Sequence, residues 1–437
     1  MDKKYNASVC TLGCRVNLYE SEAIADRLTE LGFQIKDFSE ECDVYIINTC
    51  TVTAESDRKS RQMIRRAKKK NPNARILVCG CHSQIFPDKT GAIDGVDYVG
   101  GTTDKMRLAD IAAELVKTKK NDFAEICVGD PFTAEFESMA ATSQDRTRAF
   151  LKIEDGCNNK CSYCIIPKAR GRVRSKPIDD VIKEVGMLVA NGYKEIVLVG
   201  IETAAYGEGM GYSLIDLLEK LEEIDGLERI RMGSLEPAYL KRNIIDRLAL
   251  LKKPMPHYHL SLQSGADRTL NAMRRRYNTK MVAETVSYMR EKIPKVTFGS
   301  DFIVGFPGET EADHKNTLEF VDSLEILNSH IFSYSIRPDT EASSMKEQNS
   351  EEIKSKRHGE LQFIAETMKK RCIEGFIKNK TEMDVLFETE KNGEWYGHTE
   401  NFIYVKVKSD EDLGGRRRNV VLRKYNEKDG MTKGDLI

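Results

Sequence analysis

No run of about eighteen apolar residues, the length a membrane helix needs, occurs in the 437-residue sequence. No membrane span is expected. The opening Met1-Asp2-Lys3-Lys4-Tyr5-Asn6 lacks the apolar core of a signal peptide, so the expected compartment is the cytoplasm. An excess of charge of either sign is also missing. Lys and Arg number 68 against 69 Asp and Glu, a formal net charge of −1. Bulk charge therefore does not demand a nucleic-acid partner, and any such binding must come from local patches. Eleven cysteines without an export signal point to reduced thiols and metal sites rather than disulfides.

Three of those thiols fall within eight residues. Cys157, Cys161 and Cys164 lie at spacing C-x3-C-x2-C in Glu154-Asp155-Gly156-Cys157-Asn158-Asn159-Lys160-Cys161-Ser162-Tyr163-Cys164. Such a loop can place three thiolates around an iron–sulfur cube and leave the fourth iron open. Thiolates are soft donors that suit iron–sulfur clusters or zinc. Structural zinc wants four protein ligands, and no fourth Cys or His lies close by. A redox C-x-x-C at Cys161 and Cys164 leaves Cys157 unexplained.

At this length two or three domains are expected. Up to about residue 125, strands alternate with helices. Strands are predicted at Ser8–Gly13, Asp43–Cys50 and Ala74–Cys81, and helices at Asn17–Gly32, Ser56–Lys70 and Asp104–Lys119. This alternation predicts a doubly wound parallel sheet. Cys14, Cys50 and Cys81 each fall at or just past the carboxyl end of a predicted strand. Ligands bind at that edge of open α/β sheets. Three thiolates can meet there around a second cluster, although buried Cys is often only a small hydrophobe. Cys10 and Cys79 lie inside strands and fit that plainer role.

From about 140 to 350 a strand–helix unit repeats six times, with strands predicted at Ala149–Glu154, Glu195–Gly200, Arg229–Ser234, His257–Gln263, Val296–Val304 and His330–Arg337. Catalytic groups of such barrels sit at the carboxyl ends of the strands, and the Cys157 loop follows the first of them. His257 and His259 alternate along a strand and face one side, more in keeping with packing than with chemistry. Arg274-Arg275-Arg276 is a basic run that can face phosphate or simply be solvated. A helical connector, 351–377, leads to 378–437, whose closely spaced short strands Thr381–Glu388, Glu394–Thr399, Phe402–Lys408 and Asn419–Lys424 predict a small antiparallel β-barrel.

The Cys157 run resembles the signature of the radical S-adenosylmethionine (SAM) superfamily. That resemblance implies a partial (β/α)6 barrel, with a [4Fe–4S] cluster on Cys157, Cys161 and Cys164 whose open iron binds SAM. Reductive cleavage of SAM then yields a 5′-deoxyadenosyl radical. It also implies cofactor contacts at Tyr163, Glu202, Gln263, Asp301 and Gly305, with Glu202 facing the SAM ammonium and Gly305 letting backbone approach adenine. Thr11-Leu12-Gly13-Cys14-Arg15-Val16-Asn17-Leu18-Tyr19-Glu20-Ser21-Glu22, Asn48-Thr49-Cys50 and Gly80-Cys81 resemble the methylthiotransferases, over essentially the whole chain. In that family the three cysteines matching Cys14, Cys50 and Cys81 hold an auxiliary [4Fe–4S] cluster. His82, after the third of them, reads as a surface or supporting residue. The last segment resembles the TRAM domain, an RNA-binding barrel. Its Trp395, Tyr396, Phe402 and Tyr404 are candidates to stack on bases, and Arg416-Arg417-Arg418 to meet phosphates. The basic Arg65–Lys70 stretch is a second candidate contact.

The resemblance implies methylthiolation of an unactivated aromatic carbon. One branch of the family acts on N6-isopentenyladenosine, one on a ribosomal-protein aspartate and one on N6-threonylcarbamoyladenosine. The opening motif looks most like the third. The implied partners are tRNA at its anticodon stem-loop and a reduced donor such as flavodoxin or ferredoxin, with the sulfur source left open. A non-catalytic iron–sulfur RNA-binding protein is the alternative of another class.

Overall fold

The computed structural model describes residues 4–437 except 143 and 145. The first sheet has six strands: β1 (Asn6–Thr11), β2 (Gln34–Ile35), β3 (Val44–Thr49), β4 (Arg75–Gly80), β5 (Tyr98–Gly100) and β6 (Glu125–Cys127). Their order is β2-β1-β3-β4-β5-β6, with every pairing parallel. All six residues of β3 and all six of β4 are buried, as expected of strands covered by helices on both faces. Helix α1 (Arg15–Glu30) starts immediately after Cys14. Helix α2 (Ala54–Lys70) is capped by the Thr53 side chain, which accepts from the Ser56 N–H. Glu55 and Asp57 in its first turn and Lys68–Lys70 in its last complement the helix dipole. The sequence pattern does not announce β2, β5 and β6. At two or three residues each, they are too short for periodicity to register.

The second unit begins with β7 (Arg148–Lys152). A short antiparallel ribbon, β8 (Glu154–Asp155) with β9 (Arg174–Ser175), then clasps the base of the cysteine loop. The remaining strands are β10 (Glu195–Val199), β11 (Arg229–Met232), β12 (His257–Gln263), β13 (Thr297–Val304) and β14 (Asn328–Ser333). They form two three-stranded parallel sheets, β11-β10-β7 and β12-β13-β14. Two isolated parallel bridges, Ile230 to Pro254 and Leu235 to Leu260, join the halves. The result is an open six-stranded barrel around a core that includes Leu151, Leu198, Ile230, Leu260 and Phe302. The sixth strand ends earlier than predicted. Beyond Ser333 the chain leaves the sheet, and buried Arg337 donates to Thr51 (3.1 Å) and pairs with Asp57 (2.5 Å) of the first unit.

The last five strands are β15 (Glu382–Lys391), β16 (Glu394–Thr399), β17 (Tyr404–Lys408), β18 (Arg417–Asn426) and β19 (Met431–Leu436), closed in the order β15-β16-β17-β19-β18. All pairings are antiparallel except β17 with β19. The unforeseen β19 buries Thr432 and Gly434, so it lacks the apolar alternation that announces a strand. This barrel docks on the first residues of the central strands. Arg229 donates to the Asp384 carbonyl (2.6 Å), Arg231 to that of Thr399 (2.9 Å), and Thr297 to that of Asn401 (2.6 Å). The connecting helix, Glu351–Lys378, contributes Ile373 to the core of the small barrel and Leu361 to that of the large one. Among the described residues no helix is long and apolar enough to cross a membrane.

Candidate active site

Cys157, Cys161 and Cys164 occupy the loop between β8 and the Ile166–Arg170 helix, all partly buried. The loop is pinned from across the barrel. Ser162 N–H donates to the Met273 carbonyl (3.2 Å), its hydroxyl to that of Ala272 (2.7 Å), and its own carbonyl accepts from the Ala342 N–H (2.8 Å). Gly156 has φ +86°, and a Cβ there would stand 1.9 Å from the Arg172 carbonyl oxygen. Burial pushes the Cys157 and Cys164 thiols up to about 12. They are neutral until a metal takes the proton's place. The Asn159 N–H points at the Cys157 sulfur (3.4 Å), and Arg275 Nη1 at that of Cys161 (3.2 Å). Such donors hold anionic sulfur in place and tune a cluster bound to it.

Cys14, Cys50 and Cys81 converge at the carboxyl edge of the first sheet. Gly13 and Gly80 both have φ +102°, and each turns the chain from a strand end into a cysteine. A Cβ on Gly13 would lie 2.8 Å from the Cys50 sulfur, so only glycine lets these segments close. Cys14 is exposed, whereas Cys50 and Cys81 are buried. Burial raises the Cys50 thiol to about 11, and the thiols of Cys81 and Cys14 add to that rise. Arg170, six positions after Cys164, reaches the Cys81 sulfur (3.4 Å), so the two triads are linked although one belongs to the sheet and the other to the barrel. Each supplies three soft donors, which leaves one corner of a cubane free.

Arg170 joins them. It is fully buried, directs Nε at the Cys81 sulfur (3.4 Å), and forms ion pairs with Glu20 (2.9 Å) and Asp155 (2.8 Å). Lys105 also pairs with Glu20, Lys152 with both acids, and Arg174 with Asp155. Four cations thus surround two carboxylates. Burial alone would raise the carboxyls of Glu20 and Asp155, but these cations hold both below the usual range. The positive surplus lies beside the thiols that would carry an anionic cluster. Arg170 and Arg275 are the main functional residues that sequence reasoning does not find. Arg275 sits in a basic run that reads as facing phosphate or solvent, yet it is buried, pairing with Glu236 (2.6 Å). Nothing near Arg170 in sequence marks it as a partner of Cys81.

The other expected contacts divide by location. Glu202 follows β10. Its backbone N–H donates to buried Glu154 (2.7 Å), and one carboxylate oxygen accepts from Asn159 (3.3 Å) in the cysteine loop. Its second oxygen is buried without a partner among the described residues. Burial, reinforced by the Glu236 charge, lifts its carboxyl to about 7. An ammonium group would satisfy that oxygen, so the site fits SAM. Tyr163 packs edge-on to Phe306, ring centroids 6.5 Å apart. Gln263 ends β12 with φ +63°, beside a break in register. Gly305 has φ +69°, and a Cβ there would strike the Lys354 stem at 2.4 Å. Asp301 lies within the barrel, 3.1 Å from His330 and 3.5 Å from His259. Burial would raise its carboxyl, but hydrogen bonds to those two histidines hold it well below the usual range.

A groove of 1580 Å³ runs from Gly13, Cys14 and Cys50 past Arg231, His259 and Asp301 to the small barrel. Ordinary small-ligand pockets span roughly 300–1,000 Å³, so this one can accept an extruded nucleotide. His257 and His259 both line it. His257 stacks on Phe402 (4.8 Å, 16°), as does His398 (4.7 Å). Phe402 is half-buried in the joint between the barrels, and both it and Tyr404 line the groove. Trp395 packs against the small-barrel core, and Tyr396 lies beside Tyr404. Arg417 is held by Asp384 (2.5 Å) and Glu228 (2.6 Å), and Arg418 lies 3.7 Å from Glu411. Arg416 is exposed. His82 is buried rather than on the surface, 2.9 Å from Asp57.

Residues 151–321 match the Radical SAM superfamily, and residues 6–101 match the Uncharacterized protein family UPF0004. The fold is similar to that of the radical S-adenosylmethionine methyltransferase TsrM from Kitasatospora setae, with a TM-score of 0.57 at 14% identity, covering 78% of this chain and 74% of that one. The sequence is 34% identical to the tRNA-2-methylthio-N(6)-dimethylallyladenosine synthase of Alkaliphilus oremlandii, over 96% of this chain and 90% of that protein. It is 39% identical to the threonylcarbamoyladenosine tRNA methylthiotransferase MtaB of Bacillus subtilis, over 95% of this chain and 94% of that protein. With such identity along nearly the full length of both chains, and with three cysteines in the barrel loop and three more at the sheet edge, this protein belongs to the radical SAM methylthiotransferase family.

Proposed function

We propose that the protein converts N6-threonylcarbamoyladenosine beside the tRNA anticodon into its 2-methylthio derivative. The observation that carries this reading is a nucleotide-sized groove walled by Cys14 and Cys50, with Arg170, from the helix that follows the Cys157–Cys164 loop, reaching the Cys81 sulfur of the same site. When bound, a [4Fe–4S] cluster and SAM at Cys157, Cys161 and Cys164 supply a radical able to take hydrogen from an aromatic carbon, and a second cluster at Cys14, Cys50 and Cys81 presents sulfur. The protein's own residues bind, orient and exclude water. Glu202 receives the SAM ammonium. Arg275 and Arg170 donate to Cys161 and Cys81 and fix the sulfur positions. A reduced flavodoxin or ferredoxin supplies the electron, in the cytoplasm. The alternative, a non-catalytic iron–sulfur RNA binder, gives no role to the partnerless Glu202 oxygen beside the cysteine loop. The decisive experiment is mass spectrometry of tRNA nucleosides from cells with and without the gene. Unchanged 2-methylthio-N6-threonylcarbamoyladenosine would refute the assignment.

Glu202→Ala is expected to weaken SAM binding by about 10- to 100-fold, the range for losing one charge-assisted hydrogen bond. Equilibrium dialysis on the cluster-loaded protein measures it, and wild-type affinity would exclude Glu202 from the SAM site.

The RNA path follows α2, whose first turn lines the groove. Arg58, Lys59, Arg65, Arg66 and Lys69 are exposed on it, and of these only Arg58 has a carboxylate partner among the described residues, Glu55 at 2.6 Å. Changing Lys59, Arg65, Arg66 and Lys69 to Gln is expected to flatten the dependence of log affinity on log salt by ~0.7–0.9 for each phosphate no longer neutralised. Filter binding of tRNA at several salt concentrations reads this slope. Parallel lines would remove α2 from the footprint. Arg417, being ion-paired, is expected to matter for docking of the small barrel instead.

A further inference from the structure

We propose that Arg15, on the groove wall directly after Cys14, binds the carboxylate of the threonyl group carried by the target adenosine, and so decides which modified adenosine is accepted. The proposal rests on the threonylcarbamoyladenosine reading above and adds the residue that recognises its charge.

Three arginines stand close together around this wall. Arg231 is ion-paired with Glu195 (2.7 Å) and donates to two carbonyls of the small barrel. Arg148 is paired with Glu388 (2.7 Å). Arg15 makes no ion pair among the described residues. Its guanidinium sits 5.7 Å above the Phe150 ring, a contact that orients a cation without neutralising it. Asp301, a groove-lining acid, already serves His259 and His330. Glu55, at the groove mouth, is held by Arg58. Arg15, His257 and His330 all line the groove. An arginine without a carboxylate partner, facing a flexible anionic substituent, is a means of selection, because a neutral isostere forgoes the charge-assisted contact.

Position supports the same assignment. C2 and C6, the carbon that carries N6, flank N1 on one edge of the purine ring. An adenosine with C2 presented to the Cys14, Cys50 and Cys81 site therefore turns its N6 substituent along the adjoining wall. Arg15 is one residue from Cys14, at the start of α1, and both line the groove.

The test uses two synthetic anticodon stem-loops, one carrying the threonylcarbamoyl acid and the other its neutral threoninamide. Dissociation constants are measured with the cluster-loaded full chain without SAM. Wild type is expected to prefer the acid by about 10- to 100-fold, the range for one charged hydrogen-bonded contact. Arg15→Gln is expected to lose that preference, and Arg15→Lys to keep most of it. Because each ratio is taken within one variant, incomplete folding or cluster loading cancels. An Arg15→Gln protein that keeps the wild-type ratio overturns the proposal. So does a wild type that methylthiolates the acid RNA yet binds both RNAs equally, and in that case the functional reading stands. A wild type that fails to methylthiolate the acid RNA overturns both.

Discussion

Replacing Cys157, Cys161 and Cys164 together by Ala is expected to halve the iron of the reconstituted protein, from about eight atoms per chain for two four-iron clusters, and to abolish SAM cleavage. Replacing Cys14, Cys50 and Cys81 instead should also halve the iron but leave reductive formation of 5′-deoxyadenosine, while methylthiolated product disappears. The asymmetry follows from placement. The first triad sits at the end of the barrel beside the Glu202 carboxylate, and the second sits at the edge of another sheet. Cys79→Ala serves as a control. That thiol is buried within β4 and pushed up to about 12 by desolvation, so its loss should cost only packing. Iron assay, chromatography of the nucleoside and mass spectrometry of the RNA read the three outcomes separately. Full product from a Cys50→Ala chain would remove the second triad from the chemistry.

Arg170→Met should be the most damaging single substitution away from the cysteines. It leaves Glu20 and Asp155 buried with Lys105, Lys152 and Arg174, but without the guanidinium that spans both carboxylates. The substitution removes the Arg170 hydrogen bonds to Glu20, Asp155 and Asn17, and each hydrogen bond to a charged group typically contributes ~1.5–3 kcal/mol. Arg174→Met removes a longer contact, 3.2 Å to Asp155, and should cost less. Urea unfolding of the cluster-free chains compares them. Equal midpoints for wild type and Arg170→Met would show that Arg170 does not hold the sheet to the barrel. In loaded protein, Arg170→Met should also lose iron preferentially from the second site, whose Cys81 sulfur it faces at 3.4 Å.

The contrast between Arg170 and the cysteines marks the limit of local pattern. The triplet Cys157, Cys161 and Cys164 is legible because its geometry is made within eight residues of chain. Cys14, Cys50 and Cys81 are legible for a different reason. A parallel sheet brings its strand ends to one edge, so three distant residues at three strand ends must be neighbours. The six barrel strands are recognisable from their apolar runs, and five of them begin and end within two residues of the expected positions. The sixth is displaced because Arg337, which looks like the end of a strand, is drawn into an ion pair with Asp57. Nothing in the terminal segment itself reveals that His257 will stack on Phe402 or that Glu228 will pair with Arg417.

The sequence by itself determined the chemistry: six thiols at positions that make two three-donor sites, a glycine before each of Cys14 and Cys81 to turn the strand into its ligand, and the alternation that builds sheet, barrel and terminal barrel. Only the tertiary structure decided which charges serve that chemistry. Arg170 and Cys81 are 89 positions apart, and Arg275 and Cys161 are 114 apart. An arginine in a basic run is indistinguishable by spacing from its solvated neighbours. Whether it turns inward depends on a desolvation cost that only a waiting carboxylate or sulfur can offset, and those partners arrive from elsewhere in the chain.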